Sequence, residues 1–136
     1  MEDCVFCKII AGELPAAKLI ETDKALSFLD INPINPGHAL IVPKRHVNSM
    51  LDLQQDELHA TMFLVKRVAA AVIEATGSPA FNVLQSNGPE AGQVIDHCHF
   101  HVIPRGADDG VSFEGRHMSY KPGEIEALQQ AIQTRL

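Results

Sequence analysis

His97-Cys98-His99-Phe100-His101-Val102-Ile103 alternates imidazoles with apolar side chains at every second position. Side chains of an extended strand point to opposite faces in turn, so the stretch reads as a β-strand with His97, His99 and His101 on one face. Cys98, Phe100 and Val102 then make the opposite, core-facing side. One histidine in a strand is usually a satisfied core residue. Three on one face each need hydrogen-bond partners, which points to a site rather than to packing alone.

Just upstream, residues 86–93 form a loop holding Asn87, Gly88, Gly92 and Gln93. Glycines there let backbone N–H groups approach a phosphate, and the loop leads directly into the histidine strand. Residues 81–85 read as a further strand, and Pro104 closes the histidine strand. Leu58, Met62, Val65, Ala69 and Val72 recur at helical spacing in residues 54–76, and Gly77 ends the run, so this is one long helix packed on the core.

Nearer the N-terminus, residues 4–10 read as a short helix or tight turn ending at Gly12. Strands are expected over 18–22, 25–30 and 38–43, with turns at Asp23-Lys24 and across the Pro- and Asn-rich residues 32–37. Residues 106–121 are polar and contain glycine, a segment expected to be mobile or partner-dependent, and residues 124–136 form a C-terminal helix. Strands, one central helix and then more strands give an α+β fold with a mainly antiparallel sheet, as a single domain over residues 1–136.

A chain of 136 residues, 46% hydrophobic, is long enough for one core and short for two. Its formal charge of −6 argues against general binding to nucleic-acid backbones, although a few local donors can still hold one phosphate. The opening Met1-Glu2-Asp3 lacks the basic and apolar regions of a signal peptide, and no apolar stretch approaches membrane-spanning length. Three cysteines fit a reducing compartment, so a cytoplasmic protein with no membrane partner is expected. Cys4 and Cys7 stand two residues apart, a spacing that suits a metal site, a redox dithiol or a plain reduced pair. Cys98, on the core face, reads as a small buried hydrophobe.

The histidine stretch resembles the signature of the histidine-triad (HIT) family. Phe6-Cys7-Lys8-Ile9-Ile10, Phe28-Leu29-Asp30-Ile31, Pro36-Gly37-His38, Val42-Pro43-Lys44-Arg45-His46 and the loop of residues 86–93 resemble it too, in order, over about residues 4–105. The likeness is closest to bacterial Hint-type members. It implies a homodimeric fold whose sheet continues across the dimer, and transfer or hydrolysis of a purine nucleoside monophosphate through a nucleotidyl-histidine intermediate. By motif position, His99 is the nucleophile, with its other ring nitrogen bonded to a backbone carbonyl. His101 contacts the phosphate and protonates the leaving group, and His38 orients His101.

The same resemblance makes Asp30 the acceptor of the ribose hydroxyls and Asn87 a donor near the phosphate, with Gly92 and Gln93 beside it. Val5, Phe6, Leu14, Phe28 and Ile31 line the base pocket. It also completes a structural zinc set from Cys4, Cys7, His46 and His97. Two departures stand out: Val94 replaces the serine of animal Hint proteins, and the tail lacks their tryptophan. Nucleoside phosphoramidates or adenylylated amines are the expected substrates. A dinucleoside polyphosphate hydrolase of the Fhit type and a non-catalytic nucleotide-binding adaptor are the alternatives.

Overall fold

The computed structural model describes residues 3–136; Met1 and Glu2, on which the reading of the N-terminus partly rests, lie outside them. Strands β1 (Lys18–Glu21), β2 (Ala25–Leu29), β3 (Ala39–Pro43), β4 (Ala80–Gln85) and β5 (Phe100–Arg105) form one antiparallel sheet, ordered β1-β2-β3-β5-β4. Helices α1 (Val5–Ile10), α2 (Gln55–Thr76) and α3 (Glu124–Gln133) complete the α+β fold expected from the sequence. None of them is long and apolar enough to cross a membrane.

The sheet separates two apolar layers by strand alternation. Ala39 and Ile41 of β3, with Phe100 and Val102 of β5, pack against α2. Leu40 and Val42, one residue out of phase, pack with Leu26 and Phe28 against Phe6 and Ile9 of α1. The histidine face therefore looks toward α1, on the side of the sheet away from α2.

Glu57 accepts the Gln54 N–H at 2.8 Å to open α2, and Gly77, at φ 69°, ends it. The buried stripe of α2 is Thr61, Leu64, Val65, Val68, Ala69 and Val72. Met62, expected in that stripe, is 39% exposed, because the core-facing direction passes through Thr61 and Val65 on either side of it. The histidine strand is also shorter than expected. Its ladder begins at Phe100, while Cys98 is held by its N–H to the Val47 carbonyl, 2.7 Å away. Pro104 does not close the strand: it pairs with Phe81 beyond Val102, where β3 no longer accompanies β5.

The loop between β2 and β3 makes its last turn at Gly37, with φ +96°. A Cβ there would lie 2.7 Å from Thr76 Cγ2 and 3.5 Å from Pro104 Cγ. Gly37→Ala therefore combines backbone strain with a clash against the end of α2. We expect a loss of about 2 kcal/mol, read as a melting temperature lower by roughly 5 °C.

After β5 the chain is irregular as far as α3, no residue of which is buried. The start of this segment, expected to be mobile or partner-dependent, is tied down. Asp109 takes the guanidinium of Arg105 at 2.7 Å and the backbone N–H groups of Gly106 and Val111.

Candidate active site

Alternation places His99 and His101 side by side, with ring centroids 4.9 Å apart, and the Phe6 ring meets His99 edge-on at 5.2 Å. His99 Nδ1 lies 2.7 Å from the His97 carbonyl oxygen. A carbonyl can only accept, so Nδ1 carries the proton and Nε2 of the neutral ring keeps its lone pair. The backbone thus fixes the tautomer of this histidine.

A second chain of bonds fixes two more. The Ile34 N–H donates to His38 Nδ1 at 3.0 Å, which leaves the proton of neutral His38 on Nε2. That nitrogen lies 2.9 Å from His101 Nδ1, so His38 donates and His101 keeps its own proton on Nε2. The contact follows from the sheet register, which sets Leu40 opposite His101 and puts His38 just before β3. His38 is 2% exposed, and burial holds both it and His101 toward the neutral form, His101 down to about 4.

Asp30 Oδ2 lies 3.7 Å from His38 Nε2, and its Oδ1 accepts the Asn32 N–H. Asp30, His38 and His101 are close enough to share a metal ion. The Ile34 bond, however, keeps the proton on the His38 nitrogen that would have to bind it, so His38 hydrogen-bonds His101 while the Asp30 carboxylate stands nearby without a hydrogen bond to either.

His101 makes stability depend on pH. In the unfolded chain it titrates near 6.5, and in the folded chain near 4. Between these values the unfolded chain binds more protons, so stability falls as pH falls through that window. Melting temperature should decline from about pH 6.5 to 4, and His101→Gln should make the decline shallower.

The histidines open onto a cavity of about 590 Å³ between α1 and the sheet. Of the expected lining, Val5, Phe6, Leu14, Phe28, Asp30, Ile31 and Gly92 are there, together with His99 and His101. Ile9, Leu40 and Ile95 also line it and escaped the sequence reading. Leu40 was available from the alternation of β3, whereas no local signal places Ile95. Val94, 90% exposed, stands at the cavity wall.

Asn87 and Gln93 do not line the cavity. Asn87 Oδ1 accepts the Met50 N–H at 2.8 Å, and its amide donates to Gln85 Oε1. Gln93 donates to the carbonyls of Asn48 and Ile95 and accepts the Gly88 N–H at 2.8 Å. Amide groups withdrawn from water must be paired, and here the Gln85 side chain and backbone groups of residues 48, 50, 88 and 95 pair them. Both residues shape the loop in this structure.

Cys4 caps α1, and Cys7 lies one turn along it, facing His97 and His46. His97 Nε2 bonds the Pro43 carbonyl at 2.8 Å, so its lone pair sits on Nδ1, 3.3 Å from Cys4 Sγ and 3.6 Å from Cys7 Sγ. His46 Nδ1 is 3.4 Å from Cys7 Sγ. Ligands of a tetrahedral zinc, with Zn–S about 2.3 Å and Zn–N about 2.0 Å, stand roughly 3.5 Å apart along an S–N edge. The donor set fits that ion, and the Pro43 bond supplies the outer partner that a metal-binding imidazole needs. Arg45, clamped to Glu57 at 2.6 Å, holds the segment that presents His46. Cys98 is fully buried, and burial pushes its thiol up to about 11, as suits an inert core residue.

A description of the HIT domain matches residues 11–108. The adenosine 5′-monophosphoramidase of Schizosaccharomyces pombe is 41% identical over 136 residues, covering 98% of this chain and 98% of its own. The crystal structure of a HIT family member from Bacillus subtilis superposes with a TM-score of 0.92 at 35% identity, over 98% of this chain and 97% of that one. A zinc-bound histidine triad family protein from Mycobacterium smegmatis superposes with a TM-score of 0.77 at 30% identity, over 98% of each chain.

Proposed function

Because this chain belongs to the HIT family of nucleotide-binding hydrolases, we propose that it cleaves purine nucleoside phosphoramidates or adenylylated amines through a nucleotidyl intermediate on His99. The observation that carries this reading is the His99 tautomer. A ring with Nδ1–H held by a backbone carbonyl offers Nε2 as a lone-pair nucleophile beside an apolar cavity of nucleotide size.

In the proposed reaction, His99 Nε2 forms a bond to phosphorus as the P–N bond to the amine breaks. His101 Nε2–H faces the reacting phosphate as a donor. A phosphate anion favours the imidazolium form, opposing the burial that holds His101 neutral, so a proton is drawn onto the pair and passed to the departing amine. Water then attacks phosphorus as the P–Nε2 bond breaks, its proton passes to the His101–His38 pair that gave one to the amine, and His99 regains its lone pair. Asp30 stands at the cavity wall, where its carboxylate can accept ribose hydroxyls, and Phe6, Phe28 and Ile31 face the base.

Cys4, Cys7, His46 and His97 would hold a zinc ion, which with four protein ligands has no open position and ties α1 to the sheet. The name of the fission-yeast relative supports the phosphoramidate reading. Single-turnover reaction with an adenosine phosphoramidate tests it: a transient mass gain of one nucleotidyl group on the protein is expected. Turnover of dinucleoside polyphosphates alone would favour the alternative enzyme, and binding with no adduct would favour a nucleotide-binding adaptor.

The same reading includes a homodimer. Phe81 and Val83 lie 42% and 44% exposed on edge strand β4, and they share an apolar hollow of about 420 Å³ with Met62 and Ile73 of α2. A second copy added along β4 would continue the sheet and cover this hollow. Light scattering at twice the chain mass is the expected result.

A further inference from the structure

We propose that Asn35, which lies outside the cavity, is a positioning residue that sets the tautomers of His38 and His101. The proposal rests on the reading of His101 as the proton donor. Its structural core, the state of His38, is testable without that reading.

Two groups favour the Nε2–H tautomer of His38: the Ile34 N–H, a donor 3.0 Å from Nδ1, and more weakly the Asp30 carboxylate, 3.7 Å from Nε2. That donor belongs to a loop whose proline and glycine residues form no ladder of their own, so something else must hold it in place. Asn35 does so from three directions. Its backbone carbonyl accepts the His38 N–H at 3.0 Å, closing the turn around the histidine. Its side-chain amide donates to the Pro104 carbonyl at 2.8 Å, fastening the loop to the strand that carries His101. The same amide donates to Asp109 Oδ2 at 3.0 Å.

Asp109 is itself immobilised. Arg105 grips both of its oxygens, at 2.7 and 3.2 Å, and is held in turn by Asn82 and by the Val111 carbonyl. The Asn35 amide thus spans two anchors, the Pro104 carbonyl on β5 and Asp109 at the root of the C-terminal segment. Both anchors are acceptors, and a carboxamide presents two N–H groups to them. An aspartate at this position could supply neither donor and would place a second carboxylate against Asp109.

The consequence runs in one direction. With the amide in place, Ile34 donates to His38, His38 donates to His101, and His101 Nε2–H points onward. Without it, His38 Nδ1 loses its donor, the preference for Nε2–H weakens to what the Asp30 carboxylate alone supplies, and a fraction of the molecules presents His101 with the wrong nitrogen protonated.

The test uses the full-length protein and compares wild type with Asn35→Ala and Asn35→Asp. Long-range proton–nitrogen NMR of the histidine rings, with no nucleotide added, should show wild-type His38 as a single Nε2–H tautomer. The Ala variant should show tautomer averaging, and the Asp variant more. With an adenosine phosphoramidate, kcat should fall about tenfold for Ala and further for Asp, with KM within about twofold, at temperatures well below each melting point. A lower melting temperature with an unchanged His38 signature and kcat would mean that Asn35 is merely structural, and would overturn the proposal. If the wild type turns over no phosphoramidate, the functional reading fails, and the ring spectra still decide the role of Asn35.

Discussion

Replacing His99 by alanine is expected to lower kcat toward an adenosine phosphoramidate by about 10⁴-fold or more, the scale seen when a covalent nucleophile is removed. The size follows from the site. His99 is the one ring at the cavity whose free lone pair is set by a backbone carbonyl, while His101 is committed to accepting from His38 and donating through Nε2. No neighbouring imidazole can substitute without breaking that chain of bonds. Nucleotide affinity should change far less, because Phe6, Phe28 and Ile31 keep their places around the cavity. Rapid-quench mass spectrometry checks both halves of the expectation. The wild type should accumulate a nucleotidyl adduct that maps to the peptide containing His99, and the variant should bind AMP and form none. An adduct on any other residue would sink the assignment.

The second large effect concerns the metal set. A ligand held at about a thousand times its Kd contributes about 4 kcal/mol to stability, so removing a tightly bound zinc should lower the melting temperature by roughly 10 °C or more. Cys7→Ser should act in the same direction, since Cys7 Sγ faces both His97 and His46. The expected result is one zinc per chain by elemental analysis, and a melting temperature that drops on chelation and returns on re-addition of the metal. A protein purified without metal, with a melting temperature indifferent to chelator, would leave Cys4 and Cys7 as a plain reduced pair. Damage should begin at α1, because its tether to the sheet runs through these side chains. Phe6, packed against both His97 and His99, would carry the disturbance into the cavity.

The features that could be read from the sequence depend on local backbone period. Strand alternation placed His97, His99 and His101 on one face and Cys98, Phe100 and Val102 on the other, and the two layers of the structure match that division. The Cys-x-x-Cys spacing and the resemblance to the HIT signature marked four candidate ligands, and the fold brings all four together. The turn at residues 32–37 and the long helix were likewise evident from glycine, proline and the 3.6-residue repeat.

Tertiary structure decided which groups each polar side chain meets. Asn87 and Gln93 carry the right chemistry for a phosphate, yet their amides pair with backbone groups contributed by residues 48, 50, 88 and 95. Met62 has the spacing of a core residue and the orientation of a surface one. The contact between His38 and His101 joins residues 63 positions apart, and Asn35 reaches Asp109 over 74. Sequence period fixes the direction in which a side chain leaves the backbone, because that depends only on local φ and ψ. Its hydrogen-bond partner, and with it the tautomer of each histidine, depends on strand register and loop path, which exist only once the chain has folded.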